Sequence, residues 1–215
     1  FVLIDNDAST ATSYTDNAVV SGTVYEYGIQ RIVNGIPAFG YISTALETPL
    51  TERRGTVLLF IEGALQTPLS NELTRLGRDL AGDSWDVIWH FMPLNVSIGD
   101  IKNQIVADYN ADPENTKAVL LLGNLPVPYS GNTAWDAHPE HAGAWPADTY
   151  YGDVDGIWTD NLINNISPAR NQNDNIPGDG RFDQSIVPSA TELAVVRVDF
   201  SNLSATTFGT TQVEL

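Results

Sequence analysis

Eight aspartates and Glu140 crowd residues 136–183, where only Arg170 and Arg181 oppose them. Carboxylates at this density either hold a hard cation or cap turns in a solvated loop. Asp153-Val-Asp-Gly-Ile-Trp-Thr-Asp160 places carboxylates at relative positions 1, 3 and 8. Asn175-Ile-Pro-Gly-Asp-Gly-Arg-Phe-Asp183 places side-chain oxygens at 1, 5 and 9. Calcium takes about six to eight oxygen ligands, and glycine lets a chain turn tightly around it. The spacing therefore points to structural Ca²⁺ on Asp153, Asp155, Asp160, Asp179 and Asp183, in one shared site or in two. Neither segment is a full EF-hand loop, because the bidentate Glu at the twelfth position is missing from both. The competing reading is an acidic loop held by side-chain-to-backbone turns alone.

Other chemistry is weaker. His138 and His141, with Asp136, Glu140 and Asp148 nearby, offer transition-metal ligand types. Pro139 lies between the two histidines, so the helical HExxH geometry does not apply. As polar loop residues, one of them would bond to Asp148. His90 lies in an apolar run between Trp89 and Phe91 and reads as a histidine at the edge of a core. There is no cysteine in the chain, which removes disulfides, thiolate metal sites and a cysteine nucleophile. Ser130 has no G-x-S-x-G elbow around it. Gly178-Asp-Gly180 has no lysine and no following helix, so it is no phosphate cradle. Trp135, Trp145 and Trp158 punctuate the acidic stretch; they either stack on sugars or, more in keeping with a long loop, pin it to a domain. Chance carboxylate pairs are expected among so many acids, so a glycosidase pair has little support.

The whole chain carries 27 acidic against 10 basic residues, a formal charge of −17. That surface repels phosphate backbones and anionic headgroups, which argues against nucleic-acid and peripheral membrane binding. No apolar run is long enough for a membrane-spanning helix, so no membrane insertion is expected. At 42% hydrophobic residues, the 215-residue chain can build a core.

The elements that must position these groups fall into two textures. Residues 1–50 read as β. Thr23 to Val33 alternates, with Tyr25, Tyr27 and Ile29 on one face; Asn34-Gly35 is a hairpin turn, and Phe39 to Leu46 supplies a second strand. Two strands are not stable alone in water, so further strands or the next domain must support them.

Residues 51–123 change period. Thr56–Glu62 is a continuous apolar run, as in a strand covered on both faces. Ser70–Ala81 reads as a helix, with Ser70 as its cap, Gly82 as its stop, and Leu69, Leu73, Leu76 and Leu80 in one stripe. Trp85–Phe91 is a second strand. Ser97 caps a helix to about Tyr109, with Ile101, Ile105 and Tyr109 on one face. Ala118–Gly123 is a third buried strand, and Glu192–Phe200 a fourth. The alternation predicts an α/β fold with a parallel sheet flanked by helices, preceded by a short β-hairpin region. Residues 124–191 read as a long irregular acidic loop. The segment after Ser201 trails off where another helix is due.

Several stretches together are familiar: Ala118-Val-Leu-Leu-Leu-Gly123, Asn124-Leu-Pro-Val-Pro-Tyr-Ser130, Gly143-Ala-Trp-Pro-Ala-Asp-Thr-Tyr-Tyr-Gly-Asp153, Gly178-Asp-Gly-Arg-Phe-Asp-Gln184 and Glu192-Leu-Ala-Val-Val-Arg-Val-Asp199. Their ordered set resembles the gingipain-like branch of the caspase-fold cysteine peptidases, which are parts of secreted bacterial multidomain proteins. The resemblance covers about residues 55–205 and, together with the alternation, implies the spatial order 2-1-3-4 for the four strands. It departs at Val196-Arg197, where the family pattern prefers glycine before the arginine. Tyr14-Thr-Asp16 and Gly22-Thr-Val-Tyr-Glu-Tyr27 look like the end of a fibronectin type III domain, with Tyr25 near the tyrosine-corner position.

The resemblance implies residues 1–50 as C-terminal strands of that β domain. It implies residues 51–215 as the N-terminal part of a gingipain-like domain, cut off before its catalytic His and Cys. The chain itself would then be inactive, within a secreted or cell-surface parent that acts on protein or peptide substrates. The alternative is a non-catalytic, calcium-stabilised extracellular surface or filament-forming protein on the same scaffold, able to self-associate. Asn95, Asn165 and Asn202 begin N-x-Ser patterns, which carry little weight under the bacterial source that the resemblance implies.

Overall fold

The computed structural model describes residues 13–48, 53–167, 169–203 and 205–208. The first twelve residues, Ser204 of the third N-x-Ser pattern, and residues 209–215 lie outside the described residues. The chain divides into two compact units, residues 1–51 and 52–215.

In the first unit, β1 (Val24–Val33) and β2 (Ile36–Ala45) pair antiparallel along ten residues each. Asn34 and Gly35 both have positive φ, 51° and 77°, the backbone that a two-residue turn of this hand requires. Strand β2 therefore begins at Ile36, three residues before the apolar pattern suggested, because the tight turn leaves no loop. Tyr25 and Tyr27 are half-buried and stack on each other. The Val20 N–H donates to the Tyr25 hydroxyl at 2.9 Å, and the Tyr27 hydroxyl donates to Asp16 at 3.0 Å. Ile29, expected on the same face, is 61% exposed.

The second unit is built on four parallel strands: β3 (Gly55–Glu62), β4 (Trp85–Met92), β5 (Thr116–Leu122) and β8 (Ala194–Val198). Their spatial order is β4-β3-β5-β8, all neighbours parallel. Strand β3 is central, and its alternation serves two cores. Leu58 and Phe60 enter one, with Ile101 and Ile105 of α2 (Ile98–Ala111). Leu59 and Ile61 enter the other, with Leu73 of α1 (Ser70–Gly82). A strand covered on both faces has no polar side to show, which is why its sequence is an unbroken apolar run. Each of these fully buried side chains contributes about 1.5–3 kcal/mol.

Helix α2 starts as expected: the Asp100 N–H donates to Ser97 Oγ at 3.1 Å, and the Ser97 N–H to Asp100 Oδ2 at 3.1 Å, a capping box. Helix α1 does not. Its cap position is Leu69, Ser70 is the first helical residue, and no side chain caps it. The turn before it, with the Leu69 N–H donating to Leu65 O and the Ser70 N–H to Thr67 O, already occupies the approach to the helix.

The stretch expected to be irregular is partly regular. It contains an antiparallel pair, β6 (Tyr129–Thr133) and β7 (Gly143–Pro146), and a short helix α3 (Thr149–Gly152). Strand β8 is shorter than the apolar pattern of residues 192–200 and is followed by α4 (Ala205–Phe208). Among the described residues, no helix is long and apolar enough to cross a membrane.

Candidate metal centre

Helix α3 is a single turn, and the Asp153 N–H closes it on Thr149 O at 2.9 Å. The chain leaves it where residues 192 and 193 approach β8. The Glu192 and Leu193 N–H groups both donate to Gly152 O, at 3.0 and 3.1 Å. Gly152 has to be glycine here, since a Cβ would overlap Leu193 O. This seam brings the Asp153, Asp155 and Glu192 carboxylates together, with one oxygen of each within 4.8 Å of the others.

The site has a buried floor and an open side. Asp153 is fully buried, Glu192 is half-buried and Asp155 is exposed. The Trp158 indole N–H donates to Asp153 Oδ2 at 2.8 Å. The Ser189 hydroxyl lies against both Asp153 Oδ1 and Asp155 Oδ1, the latter at 2.9 Å. Glu192 Oε2 accepts from the Val154 N–H at 2.6 Å. Gly156 passes so close to Asp153 that a Cβ would overlap its carboxylate.

Lys102 supports this cluster from α2. Its ammonium donates to Tyr150 O and Asp153 O, both at 2.5 Å, and lies 4.8 Å from the centre of the Tyr150 ring. Burial lowers its pKa to about 8, against the opposing pull of Asp153, Glu192 and Asp155. The positive charge offsets part of the triad's repulsion without occupying the carboxylate oxygens. Three converging carboxylates and a hydroxyl make an oxygen-only donor set able to hold a metal ion.

Two of the five aspartates singled out by spacing, Asp153 and Asp155, belong to this triad. The other three make different bonds. Asp160 accepts from the Gly178 and Gly180 N–H groups, each at 2.8 Å. Both glycines have φ of +86°, which other residues adopt with difficulty. Asp179 accepts from the Ile176 and Arg181 N–H groups, closing its own turn. Asp183 accepts from the Thr159 hydroxyl and from the Asn161, Leu162 and Ile163 N–H groups, at 2.7–3.1 Å. Burial alone would raise the Asp183 pKa; these hydrogen bonds outweigh it and hold the carboxyl below its ordinary range.

The spacing argument missed Glu192, Ser189 and Lys102. Glu192 and Ser189 lie more than thirty residues from Asp153 in sequence, so no local motif contains them. Lys102 left a trace: it interrupts the buried stripe of Ile98, Ile101 and Ile105, a place where lysine needs partners.

The histidines are engaged elsewhere. His141 Nδ1 lies 2.7 Å from Asp136 Oδ2, and His138 Nδ1 lies 3.4 Å from Glu140. Hydrogen bonding to His141 is the main cause of a lowered Asp136 pKa. These groups do not bring three ligand atoms within the reach that defines the triad. The bond anticipated between a histidine and Asp148 is not made; Asp148 is taken by Arg197. His90 stacks on Phe60 and meets Asp108 at 2.7 Å, at the edge of the core. Trp158 packs edge-on against Tyr150 and Phe182 and so pins the loop, whereas Trp135 is 64% exposed.

Comparison of the chain with protein-family models, curated proteins and solved structures finds no match in any of the three.

Proposed function

We propose that residues 52–215 are a calcium-stabilised domain on a gingipain-like scaffold, itself without peptidase activity. The observation that carries the metal part is the convergence of Asp153, Asp155 and Glu192 where the acidic loop meets the start of β8. A single cation there ties the loop to the sheet edge and removes the repulsion among three carboxylates. Calcium fits best, because the donors are all hard oxygens and one side is open for carbonyl or water ligands.

The peptidase part rests on the quoted motifs and on the parallel order β4-β3-β5-β8, which is the order the resemblance implies. With no cysteine among the 215 residues, a nucleophile of that class would belong to a longer parent polypeptide. Among the described residues, no serine hydroxyl is hydrogen-bonded to a histidine. In this reading the parent is secreted or held at a cell surface and acts on protein or peptide substrates. Residues 1–50 would close a preceding fibronectin type III-like domain.

Calorimetric titration with Ca²⁺ and Mg²⁺, alongside a fluorogenic peptide panel, tests both parts. Calcium should bind in preference to magnesium, and no peptide should be cleaved above a heat-inactivated control. Absence of Ca²⁺ binding removes the metal part; cleavage removes the inactive-scaffold part.

A second reading, a self-associating surface protein, draws on the hairpin. Ile32, Ile36 and Phe39 are 67%, 72% and 62% exposed, an unusual display for a solvated pair of strands. Concentration-dependent sedimentation of the full chain supports it; a monomer at all concentrations opposes it.

A further inference from the structure

The turn at residues 136–142 sets two histidines side by side. The His141 N–H donates to His138 O at 2.8 Å, closing a single 3₁₀ turn over Pro139–His141. Side chains three residues apart eclipse in such a turn. The two imidazole rings accordingly stand together, their centres 5.2 Å apart and their planes tilted by 36°.

A carboxylate stands behind each ring. Asp136 Oδ2 lies 2.7 Å from His141 Nδ1, and Glu140 lies 3.4 Å from His138 Nδ1. An ionised carboxylate only accepts, so each Nδ1 carries the proton and each neutral ring keeps its lone pair on Nε2. Neither Nε2 has a hydrogen-bond partner among the described residues. Metal-bound histidines are held in this way, with a carboxylate on one nitrogen fixing the tautomer and raising the basicity of the other. Arg170, 3.8 Å from Asp136, offsets only one of the two acids, so the charge around the rings stays negative and favours a cation.

The backbone that carries the rings is tied down. The Ser167 hydroxyl donates to Glu140 O at 2.8 Å, the Asn173 amide to His141 O at 3.1 Å and the Asn165 amide to Ala142 O at 2.8 Å. The His141 side chain is 15% exposed and set by Asp136, whereas that of His138 is 62% exposed. Rotation of the His138 ring therefore brings its Nε2 to a shared ion without displacing packed neighbours.

We propose that His138 and His141 hold one divalent ion of the zinc, nickel and copper class through their Nε2 atoms, with water completing the shell and Asp136 and Glu140 orienting the rings. Two imidazoles on one tetrahedral zinc, at about 2.0–2.1 Å each, place their ring centres about 5 Å apart, the separation found here. Imidazole nitrogen selects these ions over calcium and magnesium, which take oxygen ligands. The inference stands apart from the calcium reading, because none of these four residues belongs to the carboxylate triad.

Titration calorimetry of the full chain with Zn²⁺, in saturating Ca²⁺ so that the triad is not free to take zinc, tests it. One equivalent of zinc should bind in the micromolar range, and Mg²⁺ should not compete. In proton–nitrogen spectra of the histidine rings, zinc should shift Nε2 of both residues and leave both Nδ1 protonated. His138→Ala and His141→Ala should each weaken binding by roughly tenfold or more, and Asp136→Asn by roughly tenfold. Glu192→Ala, in the triad, should leave zinc affinity unchanged whether or not calcium binds there. No zinc binding, binding indifferent to His138→Ala, binding lost in Glu192→Ala, or coordination through Nδ1 overturns the proposal. If His141→Ala fails to fold, the exposed His138 variant and the ring spectra still decide the question.

Discussion

Arg197 and Asp148, 49 residues apart, meet in a two-point ion pair, Nε to Oδ2 at 2.7 Å and Nη2 to Oδ1 at 2.8 Å. Arg197 also donates to Leu125 O at 2.7 Å and Pro126 O at 3.1 Å. One guanidinium thus joins β8 to the segment after β5 and to the cap of α3. Arg197→Lys keeps the charge but not the planar fork and should cost on the order of 1–2 kcal/mol. Arg197→Ala should cost on the order of 2–4 kcal/mol, because it strands a half-buried carboxylate and the Leu125 carbonyl, while Pro126 O keeps the Tyr151 hydroxyl at 2.9 Å. Urea denaturation measures both, and equal stability of the two variants would contradict the bidentate role.

Calcium at about a hundred times its dissociation constant should stabilise the second unit by about 2.7 kcal/mol. For a domain of this size that raises the melting temperature by roughly 5–10 °C, and chelator should reverse the shift. Asp155→Ala and Glu192→Ala should remove most of the response. Asp160→Ala should lower the melting temperature with and without calcium while leaving the shift between them, since its bonds go to Gly178 and Gly180. A calcium shift abolished by Asp160→Ala and kept by Glu192→Ala would move the site to the other aspartates.

Asp183 predicts a dependence on acid. Its pKa is lowered in the folded state, so the unfolded chain takes up its proton first as pH falls. The stability it contributes is complete above the unfolded carboxyl range, about pH 4, and is lost as pH drops through the folded pKa. Asp183→Asn replaces an acceptor oxygen with a donor facing N–H groups and should cost about 1–3 kcal/mol at pH 7. The gap between wild type and variant should narrow in acid. A gap that stays constant from pH 7 to pH 2 would show that the carboxylate charge is not what those N–H groups stabilise.

Gly156→Ala should damage the triad specifically, because the added methyl group meets the Asp153 carboxylate. Gly178→Ala, where a Cβ would meet nothing within 4 Å, carries only the penalty of its positive φ, on the order of 1 kcal/mol. Calcium affinity should therefore fall far more for Gly156→Ala, read by titration calorimetry. Similar affinities for the two variants would place the ion away from Asp153.

The sequence alone determined the sheet. The apolar run from Thr56 to Glu62 leaves no polar face, so β3 had to be covered on both sides, and the intervening helices fix the parallel sense of its neighbours. The Ser97–Asp100 cap and the Asn34-Gly35 turn were legible too, because each is decided by bonds within four residues. The start of α1 was not, since the turn before it displaced the Ser70 cap.

The site was legible only in part, for a physical reason. Every aspartate in the loop has the same chemistry, and sequence spacing cannot say whether its nearest neighbours are N–H groups or other carboxylates. Asp160, Asp179 and Asp183 lie beside backbone donors supplied by turns. Asp153 and Asp155 meet Glu192 only because the Gly152 carbonyl accepts from the residues entering β8. Local geometry thus assigned only Asp179, whose donors lie two and three residues away; Asp160 and Asp183 bond to residues 18 to 24 positions off, and the triad exists only once a distant strand has docked.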